Sequence, residues 1–386
     1  MPAPAKQRLF ASKTASFYGA LFFATGVYLP FFPVWLAGQG LSEPEIALII
    51  AAPFFVRAVF SPTLALLADR FADLNVAAGL YGVLAGIIFA GLSLVSGFWP
   101  ILTLSAMAMV FWSALIPIGD AVAIVGVRRH QIDYGRVRLW GSVTFILANF
   151  ATAEILRSMS EGGVFGLQTV AFFVGGLAAF WLPRVNVDKA ARAPARLREL
   201  LSDPVLRRAV LAGSLILGAH AAYYAFGSIF WRELGFSART IAALWAYSVV
   251  IEVGLFWAAK RMTGWGARRF LIAAGLGAVV RWSLFPLATA PVAAFALQTL
   301  HSLTFAAAYL GVIMSIGATS APGHTARLQA GFQLVGGVVI AVATVAAGPL
   351  FGADPAAAFW LMTAMGAAGL SIAYGLQRGI QPPGET

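Results

Sequence analysis

Six ionisable side chains stand isolated inside long apolar runs: Arg57, Asp120, His220, Glu252, Arg281 and His301. A charge in an apolar run is costly, so one that persists is expected to face a polar interior and to handle protons, ions or charged solutes. Moving a cation toward or away from a carboxyl in a low-dielectric cavity changes whether that carboxyl keeps its proton, so Glu252 with Arg281 can couple a proton to a ligand. The plainer reading is a permanent Glu252 to Arg281 ion pair that only holds helices together. Asp120, close after Pro117 and Gly119, offers a similar pair with Arg57.

His220, Tyr223 and Tyr224 follow i, i+3, i+4 spacing, as do Gln298, His301 and Ser302, so each set shares one helical face. Rings and hydroxyls on such faces suit an aromatic solute, with Arg281 or Arg57 taking a carboxylate; the competing reading is polar contact between helices. The expected proton-coupling set is Glu252, Arg281, His301 and Asp120. The expected substrate-binding set is Arg57, His220, Tyr223, Tyr224, Gln298, His301 and Arg281. Glu154, beside Arg157, is assigned to a rim.

The elements that must hold these residues follow from composition. Of 386 residues, 60% are hydrophobic and 11% charged, against roughly 25% charged in a soluble domain. Apolar runs of about 20 residues without period-two alternation select membrane-spanning helices over a barrel. Twelve spans are expected near 14–38, 43–68, 76–96, 99–127, 138–158, 163–183, 208–232, 238–260, 268–288, 292–318, 327–350 and 355–377. The run from Ser16 to Leu36 exceeds a signal peptide's apolar region and reads as a retained first helix. At about 1.5 Å per residue, Arg57 and Arg281 sit roughly 18 Å, and Asp120 and Glu252 roughly 12 Å, from the inner ends of their spans.

Basic residues set the orientation. With the N-terminus inside, the inner segments hold 21 of the 26 Lys and Arg, whereas the outer loops hold only Arg157, Arg232 and Arg239. Both termini are therefore expected in the cytoplasm. The longest polar segment divides the chain into an N-terminal six-helix bundle (1–183), a cytoplasmic linker (184–207) and a C-terminal six-helix bundle (208–386). Ala68-Asp69-Arg70-Phe71 after span two is echoed by Ala259-Lys260-Arg261-Met262 after span eight, a weak repeat of the kind two-bundle transporters carry. With no cysteine and four scattered histidines, neither a disulfide nor a metal site is expected. No glycine loop followed by Lys-Ser or Lys-Thr suggests nucleotide drive, and no enzyme pairing of nucleophile and base is recognisable. The basic residues form no continuous face for nucleic acid.

Leu67-Ala68-Asp69-Arg70 resembles the loop signature of the major facilitator superfamily, with Ala65 and Ala72 where that signature has glycines. Asp133 through Ser142, His220 through Tyr224, and Gln298 through Phe305 resemble the phenylpropionate-transporter branch. The resemblance implies an all-α fold of twelve transmembrane helices in two pseudo-symmetric bundles. It further implies a proton-coupled importer in the cytoplasmic (inner) membrane that takes a small organic solute, an aromatic carboxylate by the branch's name, works as a monomer, and uses the proton gradient with no cofactor. Asp69, Arg70, Arg136 and Arg138 would then form a gating latch between bundles. Glu252, Arg281 and His301 on successive spans resemble the acid, arginine and histidine of proton-coupled sugar symporters such as lactose permease, although Thr304 and Phe305 stand where those carry a further glutamate. Sugar or nucleoside symport, drug efflux and a non-transporting receptor are the alternatives.

Overall fold

The computed structural model describes residues 4–68, 70–71, 73–158, 161–185, 197–259, 261–262, 264–320 and 324–376. Among them there is no strand. The α-helices are α1 (Pro4–Gly38), α2 (Glu43–Ala68), α3 (Leu74–Ala90), α4 (Phe98–Ser113), α5 (Leu115–His130), α6 (Tyr134–Ser158), α7 (Glu161–Phe180) and α8 (Leu197–Ser202). They continue as α9 (Pro204–Gly218), α10 (Ala221–Glu233), α11 (Ala238–Ala259), α12 (Ala267–Leu284), α13 (Pro291–Thr299), α14 (Ala308–Thr319), α15 (Thr325–Ala353) and α16 (Pro355–Tyr374). Among the described residues, 11 segments are long and apolar enough to cross a bilayer. The 26-residue α2 completes the set of twelve.

Three expected spans are interrupted. Between α4 and α5 the break falls at Ala114, because Pro117 has no N–H for the Ser113 carbonyl and its ring crowds that carbonyl. Between α9 and α10, Ala219 and His220 make a turn in which the His220 N–H reaches the Leu217 carbonyl at 3.1 Å, and the His220 ring Nδ1 meets the same carbonyl at 2.9 Å. Between α13 and α14 the chain widens into a π-helical turn over Leu303–Ala307. Such turns add a residue to the helix and are concentrated at functional positions.

The helices gather into two compact units. One comprises Met1–Leu41, Val56–Ala191 and Ser237–Ala243; the other comprises Ser42–Phe55, Arg192–Phe236 and Leu244–Thr386. In the first, α6 and α7 pack on α1, and α3 packs on α7. In the second, α12 packs on α16 and α9 on α15 and α16, around Leu206, Val210, Leu271, Val312, Ile316 and Phe332. Of the expected linker, 186–196 lies outside the described residues. Its end carries α8, then Asp203, which caps α9 by accepting from the N–H groups of Val205 (2.8 Å) and Leu206 (2.9 Å) ahead of Pro204 at the first helical position.

Small residues set helix spacing, since water cannot drive helices together inside lipid and close van der Waals packing must. A Cβ on Gly26 of α1 would lie 2.7 Å from the Phe145 carbonyl and 2.9 Å from the Ala148 Cβ of α6. Gly26→Leu is therefore expected to lower stability by about 1–3 kcal/mol, read as an earlier thermal unfolding transition in detergent. An unchanged transition would show that α1 and α6 do not approach this closely.

Candidate functional site

Arg281 of α12 is wholly buried in the second unit. Its Nη1 donates to Thr304 Oγ1 at 2.9 Å, to His301 Nδ1 at 3.1 Å and to His220 Nε2 at 3.3 Å. Its Nη2 donates to Gln298 Oε1 at 2.5 Å. Gln298 in turn donates from Nε2 to the Tyr223 hydroxyl (2.9 Å) and the Leu244 carbonyl (3.2 Å). The guanidinium also lies 4.3 Å from the ring centre of Trp282 and 5.0 Å from that of Tyr223, close enough for cation–π attraction. Among the described residues, these four hydrogen-bond acceptors are neutral groups and the Arg281 Nε has no hydrogen-bond partner.

The helix interruptions deliver these acceptors. His220 occupies the α9 to α10 turn, while His301 and Thr304 flank and enter the π-helical turn, where the Thr304 hydroxyl also donates to the His301 carbonyl at 3.2 Å. Sequence spacing alone put His220 and His301 on separate polar faces. The structure stacks them edge to face, with ring centres 5.3 Å apart.

The bonds assign the histidine protons. An Nδ1 that accepts from Arg281 carries no hydrogen, so His301 is protonated on Nε2, which points at Glu252 Oε2 3.6 Å away. His220 is the opposite tautomer: its Nδ1–H serves the Leu217 carbonyl and its Nε2 accepts, with Thr304 Oγ1 3.1 Å away. His301 thus stands between Arg281 and Glu252, with one ring nitrogen toward each. Glu252 keeps 21% of its side chain exposed, against 6% for His301, so the carboxylate is the accessible end of the chain of groups.

Aromatic rings wall this site. Tyr223 stacks on Trp245 at 4.4 Å, Tyr224 stacks on His220 at 5.6 Å, and Trp282 meets His220 edge-on at 5.2 Å. Thr304, Trp282 and Trp245 escaped the reading of polar spacing. Thr304 lies three residues after His301 on the same face, which is the signal that identifies it in retrospect.

Asp120 belongs to a second cluster, in the first unit. Its Oδ1 accepts from the Tyr18 hydroxyl and, at 3.1 Å, from the Tyr134 hydroxyl. The Arg138 guanidinium lies 3.8 Å over Phe22 and 5.3 Å from the Tyr18 ring centre. Tyr18 comes from α1, 102 residues before its partner, and no local pattern announces it. Arg57 is half-buried in α2. Of the expected latch residues, Asp69 lies outside the described residues, Arg70 is exposed, and Arg136 pairs with its neighbour Asp133 at 3.5 Å in full view of solvent. Glu154 holds Arg239 through two hydrogen bonds of 2.5 and 3.0 Å, and Arg157 through one of 3.0 Å.

Known proteins can be set beside this geometry. The model of the MFS_1 like family matches residues 12–362. A protein of Escherichia coli (strain K12) named probable 3-phenylpropionic acid transporter is 31% identical over 357 residues, covering 89% of this chain and 92% of that one. The maltose permease of Geobacillus stearothermophilus is 27% identical over 272 residues, 69% of this chain and 68% of that one. Among solved structures, the nucleoside transporter NupG superposes with a TM-score of 0.78 at 12% identity, covering 95% of this chain and 98% of that one, a likeness of fold alone. A family match across nearly the whole chain, together with twelve helices built around buried polar groups, makes this a multi-pass membrane transporter and not an enzyme: the chain belongs to the MFS_1 like family.

Proposed function

We propose that this transporter takes up a small organic acid, an aromatic carboxylate such as a phenylpropionate-like acid, together with a proton. The single observation that carries the reading is Arg281: a buried guanidinium among aromatic rings that, among the described residues, is held by neutral acceptors and has no partner at Nε. A buried cation in that state lacks the ionic partner that offsets its loss of water, and a carboxylate from the solute supplies one through two parallel N–H bonds. The rings of Tyr223, Tyr224, Trp245 and Trp282 match the aromatic body of such a solute. The name of the E. coli relative is in keeping with this chemistry.

Proton coupling follows from His301. When a solute carboxylate draws the guanidinium toward itself, Nδ1 of His301 loses its donor and becomes free to take a proton, while Nε2–H remains toward Glu252. Proton and solute thus favour each other's binding, and Glu252 is the exposed end that exchanges protons with water. The transporter acts in the cytoplasmic (inner) membrane as a monomer, and the excess of Lys and Arg in the inner loops supports a cytoplasmic position for both termini. Asp120 and Arg57 are the polar groups of the N-terminal bundle that serve the cycle, and the span-two loop and Arg138 bias the exchange between its states.

Proteoliposome uptake tests this reading. Counterflow with labelled 3-phenylpropionate, a sugar and a nucleoside is expected to show exchange of the aromatic acid alone; exchange of the sugar or nucleoside instead would overturn the substrate assignment. Arg281→Ala is expected to weaken binding of the acid by roughly 10–100-fold, the weight of charge-assisted bonds. Arg281→Lys should fail to restore it, because an ammonium lacks the planar fork. Binding at wild-type strength in both variants would make Arg281 a structural group. Glu252→Gln is expected to keep counterflow but abolish uphill accumulation driven by an inward proton gradient, and retained accumulation would remove Glu252 from coupling.

A further inference from the structure

A polar cavity lies at the end of the first unit where the basic loops emerge. It measures about 330 Å³ and is lined by Asp73, Val125, Arg129, His130, Arg184 and Val185. Arg129 closes the last turn of α5 and has no ion pair or hydrogen bond among the described residues. Arg184 follows the end of α7 and pairs with Asp73 at 3.4 Å. His130 stacks on Phe10 of α1 with ring centres 4.6 Å apart, and its Nδ1 is buried without a hydrogen-bond partner. With Asp73 matched by Arg184, the lining holds one cation in excess, plus an imidazole with an unused nitrogen.

The surroundings show what approaches this cavity. Trp181, three residues before Arg184, is 63% exposed and carries the Lys13 ammonium 5.2 Å from its ring centre. An exposed tryptophan beside a lysine at a span's end marks head-group level. Along α7, Val170, Val174, Leu177 and Phe180 are exposed and lead up to it, as Ile124 and Val127 of α5 lead up to Arg129. These are faces for acyl chains, ending at two guanidinium groups.

We propose that this cavity binds a phosphate group, that of an anionic lipid lying against α5 and α7, with Arg129 and Arg184 as its donors. Guanidinium forks fit phosphate oxygens two at a time, and basic pockets between membrane helices are suited to anionic head groups. Orientation by charge alone would explain basic residues in this loop region, but it requires neither a cavity nor, on its lining, an arginine that has no ion pair or hydrogen bond among the described residues. Free inorganic phosphate shares the same chemistry and is separated from lipid by the test.

The test measures binding of cardiolipin and phosphatidylglycerol to the purified full-length transporter by native mass spectrometry, with phosphatidylcholine as the neutral control, and binding of inorganic phosphate by calorimetry. Removing each arginine is expected to weaken anionic-lipid binding about fivefold, and the Arg129→Ala/Arg184→Ala double variant roughly 25-fold. Arg128→Ala, an exposed neighbour on the same turn, should bind as the wild type does. Arg129→Lys/Arg184→Lys keeps both charges and should keep part of the binding, which separates loss of the site from loss of the fold. Pair-dependent binding of phosphate without lipid would support the site and assign it to the free ion. Equal binding by the double variant and wild type, equal loss in Arg128→Ala, or no binding of either probe would overturn it.

Discussion

The second unit depends on how it holds one guanidinium away from water. Arg281 cannot lose its proton at any ordinary pH, so its charge must be met by arrangement alone. The protein meets it with Thr304, His301, His220 and Gln298 from α13, from the π-helical turn after it and from the α9 to α10 junction. None of these acceptors carries a formal negative charge in the tautomers the bonds require. The charge is therefore solvated by dipoles, which can be exchanged for other groups at lower cost than a carboxylate locked in a buried ion pair.

That arrangement explains where the helices break. At the α9 to α10 turn the Leu217 carbonyl takes the His220 ring as well as the His220 backbone N–H, and the ring contact fixes which imidazole nitrogen faces Arg281. The π-helical turn over Leu303–Ala307 likewise sets Thr304 where its hydroxyl meets Arg281, His220 and the His301 carbonyl. Irregular backbone is tolerated at membrane depth only where protein or a watered cavity satisfies it. Both interruptions are satisfied by the very side chains that hold the guanidinium, so the irregularities and the site are one structure.

Most of the scaffold was legible in the sequence, because the cost of unsatisfied backbone in lipid forces long apolar runs to be helices. The limits were local. Hydropathy begins span one at residue 14, yet α1 already includes Lys6, Arg8 and Lys13, since the turns outside lipid carry no apolar signal. Spans four, seven and ten were single runs by hydropathy, which cannot register a turn that keeps apolar character; only Pro117 hinted at the first break. Places on successive spans bring Glu252, Arg281 and His301 together, but they do not give the order in which the three touch. That His301 lies between the other two depends on how their helices are rotated, and no residue count reveals it. Sequence position pairs Asp120 with Arg57, whereas the donors observed on Asp120 are phenols from α1 and the start of α6.

The two polar clusters are chemical opposites built on one plan. In one unit a carboxylate, Asp120, is held by two neutral hydroxyl donors, with the Arg138 guanidinium stacked on rings beside it rather than bonded to it among the described residues. In the other a guanidinium is held by neutral acceptors, with the carboxylate of Glu252 one imidazole away. In each case the opposite charge is near but is not clamped directly onto its partner. Direct contact would deepen the electrostatic well and leave little for an incoming ion or proton to gain. Complete separation would leave a buried charge too costly for a stable fold. Holding each charge with neutral partners, one step from its counter-ion, keeps the protein folded and the site responsive.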